Sequence, residues 1–154
     1  MTARSDKARQ KGNKMKATFS LLAATIIVFC QTALATPNSS VVERFVNAFN
    51  EREVTAMLAL TTSDLRWMTI TGEQLSTETN SQQQLQEAMQ GYFNSVPSAR
   101  SAIRSIEQSG PFVYTVEQAF WSVDGVEKSQ CSLAVYELTA SLIKNVWYFP
   151  SHAC

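Results

Sequence analysis

The chain has 154 residues with 13 basic and 13 acidic side chains, and its formal net charge is zero. Six of the basic residues and one acidic residue precede residue 36, so the remaining part carries 7 basic and 12 acidic side chains, a net charge of 7 − 12 = −5. This balance lacks the basic footprint of a nucleic-acid or anionic-membrane binder. About 119 residues (154 − 35) suit one domain with a single core.

The N-terminal segment has the pattern of an export signal. Lys14 and Lys16 precede an apolar run over residues 19–30, and Ala33-Leu34-Ala35 is a small-x-small cleavage pattern. We therefore expect a signal peptide over residues 1–35 that is cleaved after Ala35, and a periplasmic or secreted product without a membrane segment. The run is shorter than the ~20 apolar residues that cross a bilayer, which favours cleavage. A membrane anchor that is retained is the alternative. A start at Met15 is a further hypothesis, since Met15-Lys16 is a compact basic start.

The first half of the exported part predicts three helices and two short strands. Ser40 and Glu43 have the spacing of a capping box, and Ser81 and Gln84 repeat it before the third helix, which Pro97 ends. The predicted elements are helices over about 40–50 and 53–60, strands over 65–70 and 75–79, and a helix from about 80 to 96.

The second half changes to a period of two, which is typical of strands. The predicted strands cover 100–108, 112–123, 126–138 and 142–149, with turns at 110–111, 124–125 and 140–141. Helices followed by a meander of strands indicate an α+β domain over residues 36–154, with three N-terminal helices packed on a curved antiparallel sheet.

The turn at Asp124-Gly125 sets the predicted register of the sheet. A two-residue turn there pairs Glu117 with Ser132 and Thr115 with Ala134. The same reasoning at the last turn pairs Ala134 with Trp147, and Tyr136 with Asn145. One face then carries Thr115, Glu117, Ala119, Trp121, Ser132, Ala134, Tyr136, Asn145, Trp147 and Phe149. The opposite face carries Phe112, Tyr114, Val116, Gln118, Phe120, Leu133, Val135, Val146 and Tyr148.

Both faces of this sheet are rich in apolar side chains, whereas an antiparallel sheet usually has one polar face that is in contact with water. We expect the helices to cover the first face and a second copy of the chain to cover the other, as a homodimer. Small residues such as Ala134 among large aromatic ones favour a hollow under the helices. The alternative is that Met89, Tyr92 and Phe93 of the third helix fill it.

The exported part resembles the SnoaL-like branch of the nuclear transport factor 2-like (NTF2-like) superfamily. The resemblance covers most of residues 40–150, and it is carried by packing positions in combination. These positions are 44–50 in the first helix, Tyr92-Phe93, Gly110, the strand 133–138, and Val146-Trp147-Tyr148-Phe149. The resemblance implies a cone-shaped α+β barrel, a cystatin-like roll, with a pocket between helices and sheet. Members include enzymes of several kinds and proteins without catalysis, so the fold does not choose among these functions.

The ketosteroid isomerase branch of this superfamily offers a test at single residues. The resemblance places its tyrosine, its carboxylate base and its protonated aspartic acid at Phe45, near Thr69 and near Ala134, and none of these residues can fill the role. That mechanism is therefore not expected here. The matches nevertheless imply that the three positions point into the pocket.

Glu117 is the one acid on the predicted pocket face and the candidate general acid or base. The alternative is that it reaches the rim or pairs with Arg100 or Arg104. His152 is the sole histidine, so neither a metal site nor a serine triad is expected, and no cofactor is implied. Cys131 and Cys154 remain after cleavage, and they form either a disulfide or two free thiols.

The sequence thus predicts an exported pocket protein that binds a small apolar or aromatic ligand without catalysis. Two alternatives stay open: a SnoaL-like lyase or isomerase that uses Glu117, and a homodimeric interaction module that uses the outer sheet face. The predicted ligand-binding residues are Phe45, Trp67, Thr69, Tyr92, Thr115, Trp121, Tyr136, Asn145 and Trp147.

Overall fold

The computed structural model describes residues 37–154. The predicted signal peptide, its cleavage after Ala35 and the hypothetical start at Met15 lie outside these residues. Within residues 37–154, none of the helices combines the length and the apolar character that crossing a membrane requires.

Three helices are followed in sequence by most of a six-stranded sheet, and this confirms the predicted α+β class. The elements are α1 (Asn38–Glu51), α2 (Val54–Ala59), β1 (Thr61–Thr71), β2 (Gln74–Thr79), α3 (Gln82–Ser95), β3 (Arg100–Ser109), β4 (Phe112–Val123), β5 (Val126–Thr139) and β6 (Leu142–Tyr148). The strands lie in the order β2-β1-β6-β5-β4-β3, in which β1 and β6 are parallel and the other neighbours are antiparallel. The sheet is therefore mixed, and not antiparallel as predicted.

The helix starts show which of the two predicted caps forms. The hydroxyl oxygen of Ser81 accepts the N–H of Gln84 at 3.3 Å, as in a capping box, while Gln84 Oε1 accepts the N–H of the preceding residue, Asn80, at 2.9 Å. Ser40 instead lies inside α1, where its hydroxyl donates to the carbonyl of Pro37 at 2.9 Å. The predicted cap at Ser40 is therefore wrong, because α1 begins two residues earlier, directly after the extended Pro37.

The β4–β5 hairpin has the predicted register. Asp124 and Gly125 both adopt the left-handed conformation, with φ of 52° and 75°, as a two-residue hairpin turn requires. Glu117 lies opposite Ser132, and Thr115 lies opposite Ala134. The side chains of these four residues share the face that the helices cover.

The β5–β6 register differs from the prediction by one residue. The turn at Ala140 and Ser141 forms, and Leu138 pairs with Ile143, but Glu137 then pairs with Asn145. The extra residue is Lys144, which makes a β-bulge, and a shift of one residue moves every later side chain to the other face.

The bulge corrects the predicted faces of β6. Val146 now lies opposite Tyr136, and Tyr148 lies opposite Ala134, so both belong to the helix-covered face. The placement of Asn145 and Trp147 on that face was wrong, as was the placement of Val146 and Tyr148 on the outer face.

The core lies between the helices and this face of the sheet. Phe45 of α1 is 2% exposed and meets the fully buried Tyr136 of β5 edge to face, with ring centroids 6.5 Å apart. Burying one such side chain is worth about 1.5–3 kcal/mol. The buried cluster comprises Val41, Val42, Phe45, Ala48, Met57, Leu65, Leu85, Phe93, Val113, Ala134, Tyr136, Leu138, Ile143 and Val146.

The C-terminal tail returns to β5 and is fixed there covalently. Cys131 and Cys154 form a disulfide with their Cα atoms 5.1 Å apart. The backbone N–H groups of Cys131 and His152 each donate to the other's carbonyl at 2.9 Å. Of the two alternatives left open by the sequence, the structure has the disulfide, and the tail adds a short pairing beyond β6.

Candidate functional site

A cavity of about 200 Å³ lies between α1, α3 and the helix-covered face of the sheet. The predicted hollow is therefore present, and the side chains of α3 do not fill it. Tyr92 is 39% exposed at its border. The residues around the cavity are Phe45, Val46, Phe49, Trp67, Met89, Tyr92, Arg100, Ser101, Glu117, Ala119, Ser132, Tyr136 and Tyr148. An apolar cavity of about 150 Å³ accepts benzene, so this volume suits a molecule of one substituted ring.

Aromatic rings form much of the wall. Trp67 and Tyr148 stack with their centroids 5.1 Å apart and their planes 12° from parallel. Phe45 lies 6.1 Å from Trp67, and Phe49 lies 6.1 Å from Tyr92, both tilted. These ring contacts connect α1, α3, β1 and β6. They hold the rings of the wall in place, and the wall is suited to an apolar or aromatic ligand.

Glu117 forms the polar end of the cavity, and four hydroxyl groups hold it. Thr115 and Tyr136 donate to Oε1 at 2.8 and 2.6 Å, while Tyr148 and Ser101 donate to Oε2 at 2.7 and 3.3 Å. A carboxylate has about four acceptor positions, so all of them are occupied. The side chain borders the cavity although the residue is only 4% exposed.

Ser101 reaches Glu117 because α1 fixes the backbone of β3 at this point. The amide of Asn50 accepts the Ser101 N–H at 2.7 Å and donates to the Ser101 carbonyl at 2.8 Å. Since β3 is an edge strand, these backbone groups would otherwise be open to another strand. Asn50 therefore closes the edge and positions one of the four hydroxyls.

The two tyrosines remain hydroxyl donors over a wide pH range. Burial, followed by the negative charge of Glu117, raises the pKa of Tyr136 and of Tyr148 well above the usual value of 10.0. Their hydroxyl oxygens are 3.1 Å apart. Both hydroxyl groups therefore keep their protons and donate them to the carboxyl group of Glu117.

The two arginines predicted as alternative partners of Glu117 have other partners. Arg100 pairs with Glu127 at 3.0 Å, and its guanidinium lies 3.6 Å from the ring centre of Phe120. Arg104 donates to the amide oxygen of Gln118. In the part of the chain that the structure describes, no ion pair to Glu117 forms, so the alternative of a pair with Arg100 or Arg104 is wrong.

The predicted ligand-binding residues divide into three groups. Phe45, Trp67, Tyr92, Tyr136 and Glu117 border the cavity. Thr115 lies behind Glu117 as a hydrogen-bond donor, whereas Thr69 does not border the cavity and donates to Glu78 at 2.6 Å. Trp121 does not border the cavity, while Asn145, which donates to Glu137 at 2.7 Å, and Trp147 lie on the outer face.

Tyr148 and Ser101 are the functional residues that the sequence reasoning missed. Tyr148 was missed because the bulge at Lys144 was not foreseen, although the adjacent polar residues Lys144 and Asn145 between Ile143 and Val146 interrupt the period of two. Ser101 was missed because the register of β3 had no turn signal to fix it, and β3 also contains an irregularity between Ile103 and Ser105.

The outer face of the sheet leaves apolar side chains in contact with solvent. Tyr114 is 38% exposed and Leu133 is 36% exposed, and Val116, Phe120 and Val135 are half-buried beside them. Among residues 37–154 the acids, histidine and cysteines form no group of three or more that could hold a metal ion.

No protein-family model matches the chain, and a search of curated proteins finds no match. Solved structures do match. An uncharacterized cystatin-fold protein from Novosphingobium aromaticivorans has a TM-score of 0.66 at 16% identity, over 75% of this chain and 99% of the other. An NTF2-like protein of unknown function from Burkholderia pseudomallei has a TM-score of 0.63 at 17% identity, over 77% and 92%. An LEH-like epoxide hydrolase from M. tuberculosis has a TM-score of 0.60 at 15% identity, over 73% and 80%. These likenesses confirm the predicted NTF2-like fold.

Proposed function

We propose that the exported part of this protein binds one small apolar or aromatic molecule in the cavity without converting it. The observation that carries the proposal is an apolar, ring-lined hollow of about 200 Å³ that ends in a carboxylate with every acceptor position filled. A general base needs a free lone pair for the proton it removes. Glu117 has a free lone pair only if one of the four hydroxyl groups breaks its hydrogen bond. This favours ligand binding over proton transfer.

Tert-butylbenzene is a suitable neutral probe, and Trp67 borders the cavity as a built-in reporter. We expect the addition of tert-butylbenzene to change the tryptophan fluorescence. At a probe concentration of ten times Kd, it should raise the melting temperature of the protein by several degrees. Ala119→Phe places a ring in the cavity and should abolish both effects. Ala88→Phe adds the same ring to an exposed position of α3 and should retain them. Equal binding by both variants contradicts the proposal.

A second candidate is a lyase or isomerase that uses Glu117 as general acid or base. It is favoured by one observation: the carboxyl group borders an apolar cavity, and the two tyrosine hydroxyls beside it are further proton carriers. Such an enzyme should lose most of its turnover in Glu117→Gln. Full turnover of an identified substrate by that variant removes this candidate.

Export and self-association complete the proposal. The N-terminal pattern supports a mature chain that begins at Thr36, and mass spectrometry of the protein recovered from the periplasm or the medium tests this. The exposed apolar residues Tyr114 and Leu133 support a homodimer through the outer sheet face. The cavity opens on the other face of the sheet, so a dimer of this kind leaves it free.

A further inference from the structure

Glu117 is a buried negative charge with no positive partner among residues 37–154. A carboxylate removed from water is costly unless it is both hydrogen-bonded and paired with an opposite charge. The four hydroxyl groups offset this cost through hydrogen bonds, but they carry no net charge. A cation that enters the cavity supplies the missing charge.

The rest of the cavity suits a cation better than an anion. Arg100 borders the cavity, but Glu127 and the ring of Phe120 already hold its guanidinium. Six of the residues around the cavity are aromatic: Phe45, Phe49, Trp67, Tyr92, Tyr136 and Tyr148. The faces of such rings attract cations.

Because the acceptor positions of the Glu117 carboxylate are occupied, the number of N–H groups on the cation matters. A primary ammonium group carries three N–H donors, and each needs an acceptor that the saturated carboxylate no longer offers. A quaternary or tertiary ammonium group needs few or no acceptors, and it gains from charge and from aromatic faces alone. A volume of about 200 Å³ has room for such a group together with one ring or a short chain.

We propose that the ligand of this cavity is a small organic cation, a quaternary or tertiary ammonium compound, whose charge lies beside Glu117 and whose apolar part lies against Phe45 and Trp67. This inference rests on the proposed function, because it names the chemical class of the molecule that the same cavity binds. The net charge of −5 over the exported part also attracts cations from solution.

The test compares two probes of the same shape, phenyltrimethylammonium and its uncharged carbon analogue tert-butylbenzene. Both are titrated into the mature protein with Trp67 fluorescence and calorimetry as readouts. We expect the cation to bind at least tenfold more tightly than the neutral probe. Ala119→Phe should block both probes, which places them in the same cavity.

Glu117→Gln keeps the shape of the side chain and removes the charge. We expect this variant to lose most of the preference for the cation, while the control Glu107→Gln, which changes an exposed carboxylate of β3, keeps it. Near-ultraviolet circular dichroism shows whether Glu117→Gln retains the native packing. If the variant loses the native packing, the ratio of the two affinities in the unmodified protein still decides whether the cavity prefers a cation.

The outcomes separate the two proposals. Equal affinities for the two probes in the unmodified protein, or tighter binding of tert-butylbenzene, overturn the cationic ligand and leave the pocket function standing. Binding of neither probe overturns both proposals. A preference for the cation that survives undiminished in a folded Glu117→Gln variant overturns the role of Glu117.

Discussion

Tyr148 shows how one side chain joins the wall of the cavity to its polar end. Its ring stacks on Trp67 at 5.1 Å, and its hydroxyl donates to Glu117 at 2.7 Å. Tyr136 makes the second tyrosine contact to the same carboxylate. The cluster therefore fixes the position of the aromatic wall as well as the position of the charge.

Tyr148→Phe removes one charge-assisted hydrogen bond and keeps the ring. A hydrogen bond to a charged group is worth about 1.5–3 kcal/mol, so we expect the free energy of unfolding to fall by about 2 kcal/mol in urea titrations. Tyr114→Phe removes a hydroxyl from a tyrosine that is 38% exposed, and it should change stability by less than about 0.5 kcal/mol. A similar effect of both substitutions contradicts the importance of the cluster.

The tyrosine cluster also predicts how stability depends on alkaline pH. Burial raises the pKa of Tyr136 and Tyr148 in the folded state above the unfolded value of about 10. The unfolded chain releases these protons first, so the stabilisation is complete below about pH 10 and is lost as the pH rises from there through the folded pKa values. Urea unfolding over this range should show a steeper loss for the unmodified protein than for Tyr148→Phe. Equal slopes count against the raised pKa values.

At the scale of elements, the two hairpins explain how much of the site the sequence revealed. Asp124-Gly125 is a strong turn signal, and the register that it sets is sufficient to place Thr115, Glu117 and Tyr136 on the correct face. The turn at residues 140–141 was also predicted correctly. The bulge at Lys144 still reversed the faces of the residues that follow, because a bulge depends on packing across the sheet as well as on the turn.

The turn at Ala140 and Ser141 holds two non-glycine residues at positive φ, 47° and 61°. This conformation costs L residues about 1–2 kcal/mol, and glycine adopts it freely. We expect Ser141→Gly to raise the free energy of unfolding by about 1 kcal/mol. The control Ser109→Gly lies at the end of β3 with an ordinary φ and should lower it by about 0.5–1 kcal/mol. A loss of stability in Ser141→Gly contradicts the turn geometry.

At the scale of the whole molecule, the sheet separates two surfaces with different tasks. Its helix-covered face holds the cavity, and its outer face carries the proposed dimer contact around Leu133. Since neighbouring side chains of a strand alternate between the faces, each strand contributes to both surfaces. We therefore expect substitutions on the outer face to alter association while ligand binding persists.

Leu133→Glu tests the dimer contact by placing a charge in the centre of the outer face. We expect the unmodified protein to sediment as a dimer at high micromolar concentration and Leu133→Glu to sediment as a monomer. Leu75→Glu introduces the same charge at a leucine of β2 that is 57% exposed, and it should leave the dimer intact. A monomeric unmodified protein at this concentration counts against the interface.

A crystal soaked in tert-butylbenzene tests most directly whether the apolar cavity ends at a hydrogen-bonded Glu117. We predict electron density for one ring between Phe45 and Trp67, with Glu117 still in contact with Tyr136 and Tyr148. Density that shows Met89 and Tyr92 filling this space, or Glu117 turned toward bulk solvent, would contradict the account.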